Sequence, residues 1–551
     1  MRIYYTGHTV SFRFTVKSQH FTLLLASYFT LIFNLPFFRE TWKVISSIEN
    51  IKTGFIVSIP FFVLFGLTII FSLFTIKYIT KPIFVLLTIT SSFVFYGGLV
   101  YGTMFDYGMI QNSTQTNWSE ASSYLNLNLI VSFFLTGLLP VYLIIKTKIK
   151  YQPLLKEVLT KTALIGISLL GLAIIASFYY QDYAAIGRNN KFLQKYIVPT
   201  QYVWSSYKYT QETYFTTPLV YQKLGLDAKQ SATIPNAKPN LTVMVLGETA
   251  RTMNYRYNGY SRDTNPFTAK NGLISFQHVS SCGTYTALSV PCMFSFMGKE
   301  HYEENRAYNQ DNVLDVIQRA GVNVRWFDND SGCKGVCARV PTLEIDIKTQ
   351  SPLCDGKYCF DEIMLPQLEQ ALNQANGKTS LIVLHLIGSH GPTYSRRYPD
   401  NHRLFTPDCE RSDIQNCNHD ELVNTYDNTI AYTDYIISRV IDILKTHDRD
   451  YDTSMLYMSD HGESLGEKGL YLHGTPYALA PAEQTHVPAL LWLSDSYIKD
   501  NQINTDCLHQ EAVSKDISHD YLSHSLMGLM NITASTYHPE LDFMANCRQH
   551  S

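Results

Sequence analysis

Hydrophobic residues are distributed along this chain in two regimes. Up to about residue 180 they run together: stretches at 20–38, 54–76, 82–105, 125–145 and 161–180 are each long enough to cross a bilayer as a helix. The first is interrupted by Asn34 and Pro36, lacks a small-residue cleavage site and is followed by other spans, so it is read as a retained anchor and not a signal peptide. From Leu241 the apolar runs shorten and alternate with amphipathic segments, the pattern of an α/β domain with a mainly parallel sheet. Predicted strands are Leu241–Leu246, Val322–Phe327, Ser380–Ile387, Ser454–Met458 and Val487–Leu493; predicted helices are Asn312–Ala320, Glu362–Asn373 and Glu421–Lys445, the first stopped by Gly321.

This patterning divides the 551 residues into more than one domain, since a chain this long exceeds what a single core organises. The expected architecture is a five-helix transmembrane domain over 1–181, a membrane-interface linker over 182–239 and an α/β domain over 240–551. The linker mixes aromatic and basic residues, among them Arg188, Lys191, Phe192, Lys195, Tyr196, Tyr202 and Trp204, a composition suited to the headgroup layer. Pro and Ala residues around Ala232–Pro239 mark the entry to the soluble part.

Charge sets the orientation. Arg2, Arg13 and Lys17 precede the first span, Lys77 and Lys81 follow the second, and Lys146, Lys148, Lys150, Lys156 and Lys161 follow the fourth, which places these segments in the cytoplasm. The segment between the third and fourth spans has neither Lys nor Arg, and that between the first and second has only Arg39, Lys43 and Lys52. Five spans then deliver everything after Tyr180 to the far side, the periplasm of a bacterium. Cysteine usage points the same way. All ten cysteines lie in the second half, and Cys282 with Cys292, Cys333 with Cys337, Cys354 with Cys359 and Cys409 with Cys417 are spaced for short loop-closing bridges, with Cys507 and Cys547 completing the set. Disulfides persist in an oxidising compartment. Free buried thiols are the competing reading; the spacings do not form the two matched C-x2-C pairs of a zinc ribbon. The net charge of −3 gives no support for nucleic-acid binding.

Candidate chemistry gathers where strands end. Leu241–Leu246 runs into Gly247-Glu248-Thr249, Ser380–Ile387 into Gly388-Ser389-His390-Gly391-Pro392, and Ser454–Met458 into Ser459-Asp460-His461-Gly462-Glu463. Carboxylate and imidazole ligands of this mix suit zinc with one open position. In Cys282-Gly283-Thr284-Tyr285-Thr286-Ala287-Leu288-Ser289-Val290-Pro291-Cys292, a threonine opens a short apolar helix between two cysteines. Zinc coordination and a helix N-terminus both favour its alkoxide, so Thr286 is a candidate nucleophile and ligand; on spacing alone it also reads as an ordinary helix cap. After the third span, Asn112, Thr116 and Glu120 fall at i, i+4 and i+8, one face if that segment is helical, where a carboxylate can meet an ammonium group.

These motifs, together with Gly247-Glu248-Thr249-Ala250-Arg251, Ser459 to Glu467 and Leu472-His473-Gly474, resemble the lipid A phosphoethanolamine transferases, a family within the alkaline phosphatase superfamily that includes the mobile colistin-resistance enzymes. The resemblance covers essentially the whole chain. It implies an alkaline-phosphatase/sulfatase-like catalytic domain at the inner membrane, facing the periplasm. The implied reaction moves phosphoethanolamine from phosphatidylethanolamine to lipid A of lipopolysaccharide through a modified Thr286, and confers resistance to polymyxin and cationic peptides. By the same resemblance Glu248, Thr286, Asp460 and His461 are ligands of one zinc, and His390 and His473 bind the substrate phosphate or a second zinc and assist proton transfer. Lys334 beside Ser331 contacts phosphate, and Asn112, Thr116 and Glu120 bind the headgroup. Asp330 departs from the pattern, standing where some relatives carry an amide-bearing residue. The competing readings are transfer to the lipopolysaccharide core, glycerol-phosphate polymerisation, and a catalytically silent envelope sensor or scaffold. A sulfatase is disfavoured because the Thr286 block lacks the C/S-x-P-x-R pattern.

Overall fold

The computed structural model describes residues 4–6, 9–11, 14–46, 51–215, 219–231 and 237–548. Arg2, Arg13 and the stretch 232–236 of the expected domain entry lie outside the described residues. The chain forms two compact units, one of Met1–Ile110 with Leu125–Phe215, the other of Gln111–Tyr124 with Thr216–Ser551.

The first unit is built of apolar helices. Thr53–Phe74, Thr80–Val100, Leu127–Lys146 and Leu154–Ala184 are each long and apolar enough to cross a membrane. The expected first span is not one straight helix: Ser18–Phe33 and Leu35–Ser46 meet at 55°. The cause lies in the sequence. Pro36 has no N–H to continue the ladder, and the buried Asn34 side chain ties the bend to a distant backbone. It donates to the carbonyls of Phe29 (3.0 Å) and Val198 (2.8 Å) and accepts from the Val198 N–H (3.0 Å). Around it Phe29, Phe71 and Phe84 pack edge to face, with ring centroids 5.1 and 4.9 Å apart. The last helix continues from Leu154 to Asn189, carrying Lys156 and Lys161 in its first turns. The interface stretch is itself helical, at Lys191–Tyr196 and Thr200–Tyr214, with Tyr196 and Tyr202 buried and Trp204 exposed.

The second unit is organised by a seven-stranded sheet of β1 (Asn240–Gly247), β2 (Ile274–Phe276), β3 (Asn323–Asp328), β4 (Thr342–Glu344), β5 (Ser380–His385), β6 (Asp452–Ser459) and β7 (Ala489–Leu493), in the order β4-β3-β5-β1-β6-β7-β2. Only β7 runs against the others. All eight residues of β1 are buried, as expected of a parallel strand covered on both faces. The predicted strands are present with ends displaced by up to two residues, and the predicted helices are Val313–Arg319, Leu365–Asn373 and His419–Lys445. β2 and β4, three residues each, were not anticipated. Five disulfides, Cys282–Cys292, Cys333–Cys337, Cys354–Cys359, Cys409–Cys417 and Cys507–Cys547, tie the loops of this unit.

Candidate active site

Strand register decides which side chains meet. Gly247 of β1 pairs with Ser459 of β6, so Glu248 and Asp460 emerge side by side one residue beyond the paired ends. Thr249 follows in the left-handed region (φ 58°), a costly conformation for a β-branched residue. That turn aims its N–H at Asp460 Oδ1 (3.1 Å) and its hydroxyl at Glu248 Oε1 (2.5 Å). Gly388 also has positive φ, and a Cβ there would lie 2.7 Å from the Glu248 carbonyl, so only glycine lets the His390 loop approach β1.

Glu248, Asp460 and His461 each place one ligating atom within 4.8 Å of the others, and all three are fully buried. His461 Nε2 lies 3.3 Å from Glu248 Oε1 and 3.4 Å from Asp460 Oδ2. Thr286, first residue of the helix Thr286–Met293, brings Oγ1 to 3.2 and 3.3 Å from the two Glu248 oxygens and 3.4 Å from His461 Nε2. The Asp460 Oδ2 atom is buried without a hydrogen-bond partner. A buried carboxylate oxygen left unpaired beside a second carboxylate is costly unless a cation or proton sits there. The donor set of two carboxylates, an imidazole and a hydroxyl therefore fits a divalent metal. Burial and the Glu248 charge push the Asp460 carboxyl up to about 8. Burial also opposes the His461 cation, but the charges of Asp460 and Glu248 outweigh it and raise that group to about 9.

The histidines expected at the rim are close by. The His461 and His473 rings lie 4.5 Å apart, and those of His390 and His473 5.5 Å apart. His390 Nε2 is 3.3 Å from Glu120 Oε1; burial disfavours its cation, yet the Glu120 charge raises its pKa to about 10. Lys334 Nζ bonds Ser331 Oγ (2.6 Å) and the Ser331 carbonyl (2.9 Å). Asn112, Thr116 and Glu120 do not share one helical face. The helix Tyr107–Gln115 stops and a second, Trp118–Ser123, begins after Asn117, whose side chain caps it by accepting the Glu120 N–H (2.9 Å). Glu120 is thereby turned toward His390, whereas the Thr116 hydroxyl bonds the Asn112 carbonyl (2.8 Å). A cavity of about 630 Å3 opens here, lined by Asn117, Glu120, Asp330, Tyr358, His390 and Arg397.

Several supporting residues escaped the sequence reading. Glu463 Oε2 lies 3.3 Å from His473 Nδ1 and orients that ring. Arg251 ties the 460–467 loop down by donating to the Glu463 carbonyl (3.0 Å) and Glu467 Oε1 (2.7 Å). His519 accepts the Cys282 N–H at Nδ1 (3.0 Å) and contacts the Ser459 carbonyl through Nε2 (2.9 Å), joining the Thr286 loop to β6; burial lowers its pKa to about 3, so it is neutral. Asp328 and His385 are paired in register across β3 and β5, and His385 lies with Asp330 close to Glu248. The signal for the Glu463 role was in reach, since it stands in the same motif as Asp460; those of His519, Asp328 and His385 depend on tertiary contact.

A sheet of this kind with a hydroxyl over buried carboxylates and an imidazole defines the sulfatase-like enzymes of the alkaline phosphatase superfamily, and the family model described as Sulfatase matches residues 240–532. A second model, Phosphoethanolamine transferase EptA/EptB, matches residues 63–214. Phosphoethanolamine transferase EptA of Escherichia coli K12 is 40% identical over 96% of both chains, and Phosphatidylethanolamine transferase Mcr-1, also from E. coli, is 37% identical over 96% of this chain and 97% of its own. The solved structure of the integral membrane protein lipooligosaccharide phosphoethanolamine transferase A from Neisseria meningitidis superposes with a TM-score of 0.93 at 37% identity, covering 98% of this chain and 100% of that one. The chain belongs to the phosphoethanolamine transferase family.

Proposed function

We propose that this protein transfers phosphoethanolamine from phosphatidylethanolamine to lipid A of lipopolysaccharide, with Thr286 as nucleophile, zinc as cofactor and the catalytic domain in the periplasm beside the inner membrane. The observation that carries the reading is the placement of Thr286 Oγ1, 3.2–3.4 Å from Glu248 and His461 at the first residue of a helix.

Glu248, Thr286, Asp460 and His461 would hold the zinc. Bound there, it supplies positive charge that lowers the pKa of the threonine hydroxyl and offsets charge on the phosphoryl group. The helix N-terminus adds its own partial positive charge at Thr286. In the first step Thr286 Oγ gives its proton to the histidine pair and bonds phosphorus as the bond from phosphorus to the glyceryl oxygen breaks, and the pair passes that proton to the departing diacylglycerol oxygen. In the second, an acceptor phosphate or hydroxyl oxygen attacks the same phosphorus, giving up any proton it carries to the histidine pair, and Thr286 Oγ departs and takes up a proton from that pair. His473, with Nδ1 held by Glu463, keeps Nε2 for that proton. Lys334 offsets phosphoryl charge, and Glu120 is suited to receive the ethanolamine ammonium. Adding an ammonium to a lipid A phosphate lessens the surface charge that attracts polymyxin and other cationic peptides.

The test is mass spectrometry of lipid A and core oligosaccharide from a Gram-negative host lacking its own transferases, expressing this protein or Thr286→Ala. The expected result is a phosphoethanolamine increment on lipid A that the variant lacks. An increment confined to the core moves the acceptor there; none in either fraction, with folded metal-loaded protein, leaves the sensor or scaffold reading.

A further inference from the structure

The proposed chemistry leaves a second convergence of ligand atoms unused. Glu248, Asp330 and His385 each bring one donor atom within 4.8 Å of the other two. The sheet puts them there: His385 ends β5, Asp328 stands opposite it on β3, Asp330 follows two residues on, and Glu248 leaves the adjoining β1.

His385 is fully buried and is gripped from one side only. Its Nδ1 lies 2.9 Å from Asp328 Oδ2, an oxygen that also accepts from Trp326 Nε1 (2.8 Å). Asp328 Oδ1 accepts the N–H groups of Asp330 (3.1 Å) and Gly332 (3.0 Å). A carboxylate so fully supplied with donors is an acceptor, which assigns the proton of the pair to His385 Nδ1. The other nitrogen, Nε2, has no hydrogen-bond partner although nothing of the side chain is exposed. It is directed at Asp330, with Oδ2 3.9 Å away, beyond hydrogen-bond reach.

Neither protonation state satisfies this arrangement. Neutral, the Nε2 lone pair faces two carboxylates; protonated, its N–H has no acceptor at bonding distance. A divalent cation among the three takes the lone pair and the carboxylate charge together, and an imidazole steered by a carboxylate on its far nitrogen is the usual support of a metal-bound histidine. Metal–nitrogen and metal–oxygen bonds of roughly 2.0–2.2 Å span the 3.9 Å between His385 Nε2 and Asp330 Oδ2.

We propose that Glu248, Asp330 and His385 form a second divalent-cation site, with His385 bound through Nε2 and positioned by Asp328, and with Glu248 shared between this site and the first. The inference rests on the metal reading above through that shared carboxylate. The donor set, oxygen and imidazole without thiolate, suits Zn2+ and Mn2+. The site is distinct from the His390 and His473 pair.

The test is zinc content of the full-length protein, loaded with Zn2+ in detergent and freed of loose metal, read by inductively coupled plasma mass spectrometry. Two zinc ions per chain are expected for the wild type, one for His385→Ala or Asp330→Asn, and fewer than one for Glu248→Gln. Asp328→Asn should weaken the second ion about 10–100-fold and leave the first. Crystals of the wild type should show two anomalous zinc peaks, one among Glu248, Asp330 and His385, a readout that needs no variant to fold. A wild type with one zinc that Asp460→Asn removes would overturn this proposal and keep the first site; a wild type with none would remove both. A second zinc that persists in His385→Ala, or that maps to His390 and His473, would also overturn it.

Discussion

The two units bury polar side chains in opposite ways. In the apolar helices four buried hydroxyls are satisfied locally: Thr22, Ser72, Thr75 and Thr88 each donate to the carbonyl four residues back. That is the economy lipid imposes, where no water completes an unmade bond. In the second unit buried polar groups come from distant parts of the chain and are charged. Glu248 and His461 lie 213 positions apart in sequence yet 3.3 Å apart in space, and the atoms left without hydrogen-bond partners include Asp460 Oδ2, Glu463 Oε1 and His385 Nε2. The buried atoms without hydrogen-bond partners in the first unit include the neutral hydroxyls of Ser18, Thr30, Thr41 and Thr68, whereas those at the strand ends of the second are carboxylate and imidazole atoms, a set that suits a cation.

Breaking the charged cluster should therefore cost function first. Thr286→Ala should reduce phosphoethanolamine transfer on the order of 10^4-fold or more, measured as turnover of a fluorescent phosphatidylethanolamine. Lys334→Ala, which removes the charge proposed to offset the phosphoryl group, should lower kcat about 10^2-fold in the same assay. Metal should matter to stability as well. A chelator should lower the Tm, and zinc should restore it more strongly as pH rises from 7 to 9, because Asp460 (about 8) and His461 (about 9) must release protons to bind it.

A smaller effect separates buried neutral imidazole from buried charge. His519 titrates in the fold at about 3, below its ordinary 6.5, so the stability it contributes is complete above pH 6.5 and is lost as pH falls toward 3. His519→Gln should flatten the acid limb of a Tm–pH profile between pH 6.5 and 4. Smallest of all for catalysis is Asn34→Ala in the first unit. It frees the N–H and carbonyl of Val198, which should cost about 1–3 kcal/mol in detergent unfolding while kcat changes less than twofold.

The sheet was legible because its central strands are continuous apolar runs ending in Gly or Ser, and those ends carry Glu248, His390 and Asp460. The short strands Ile274–Phe276 and Thr342–Glu344 were not, since three residues carry too little pattern. The first span's interruption was visible in Asn34 and Pro36, but not the distant Val198 backbone that makes the bend stable. In the 111–124 segment the sequence Asn117-Trp118-Ser119-Glu120 carries a helix-start signal that accounts for the break before Trp118. Asp328 and His385 could not have been paired from sequence, because cross-strand register joins them over 57 positions.

The most direct test of Thr286 as nucleophile is peptide mass spectrometry of the purified full-length protein after incubation with phosphatidylethanolamine and no acceptor. A phosphoethanolamine group on the peptide carrying Thr286, discharged when lipid A is added, is the predicted result. A protein that turns over both lipids while that peptide never gains the group, even after rapid acid quenching, would contradict the account.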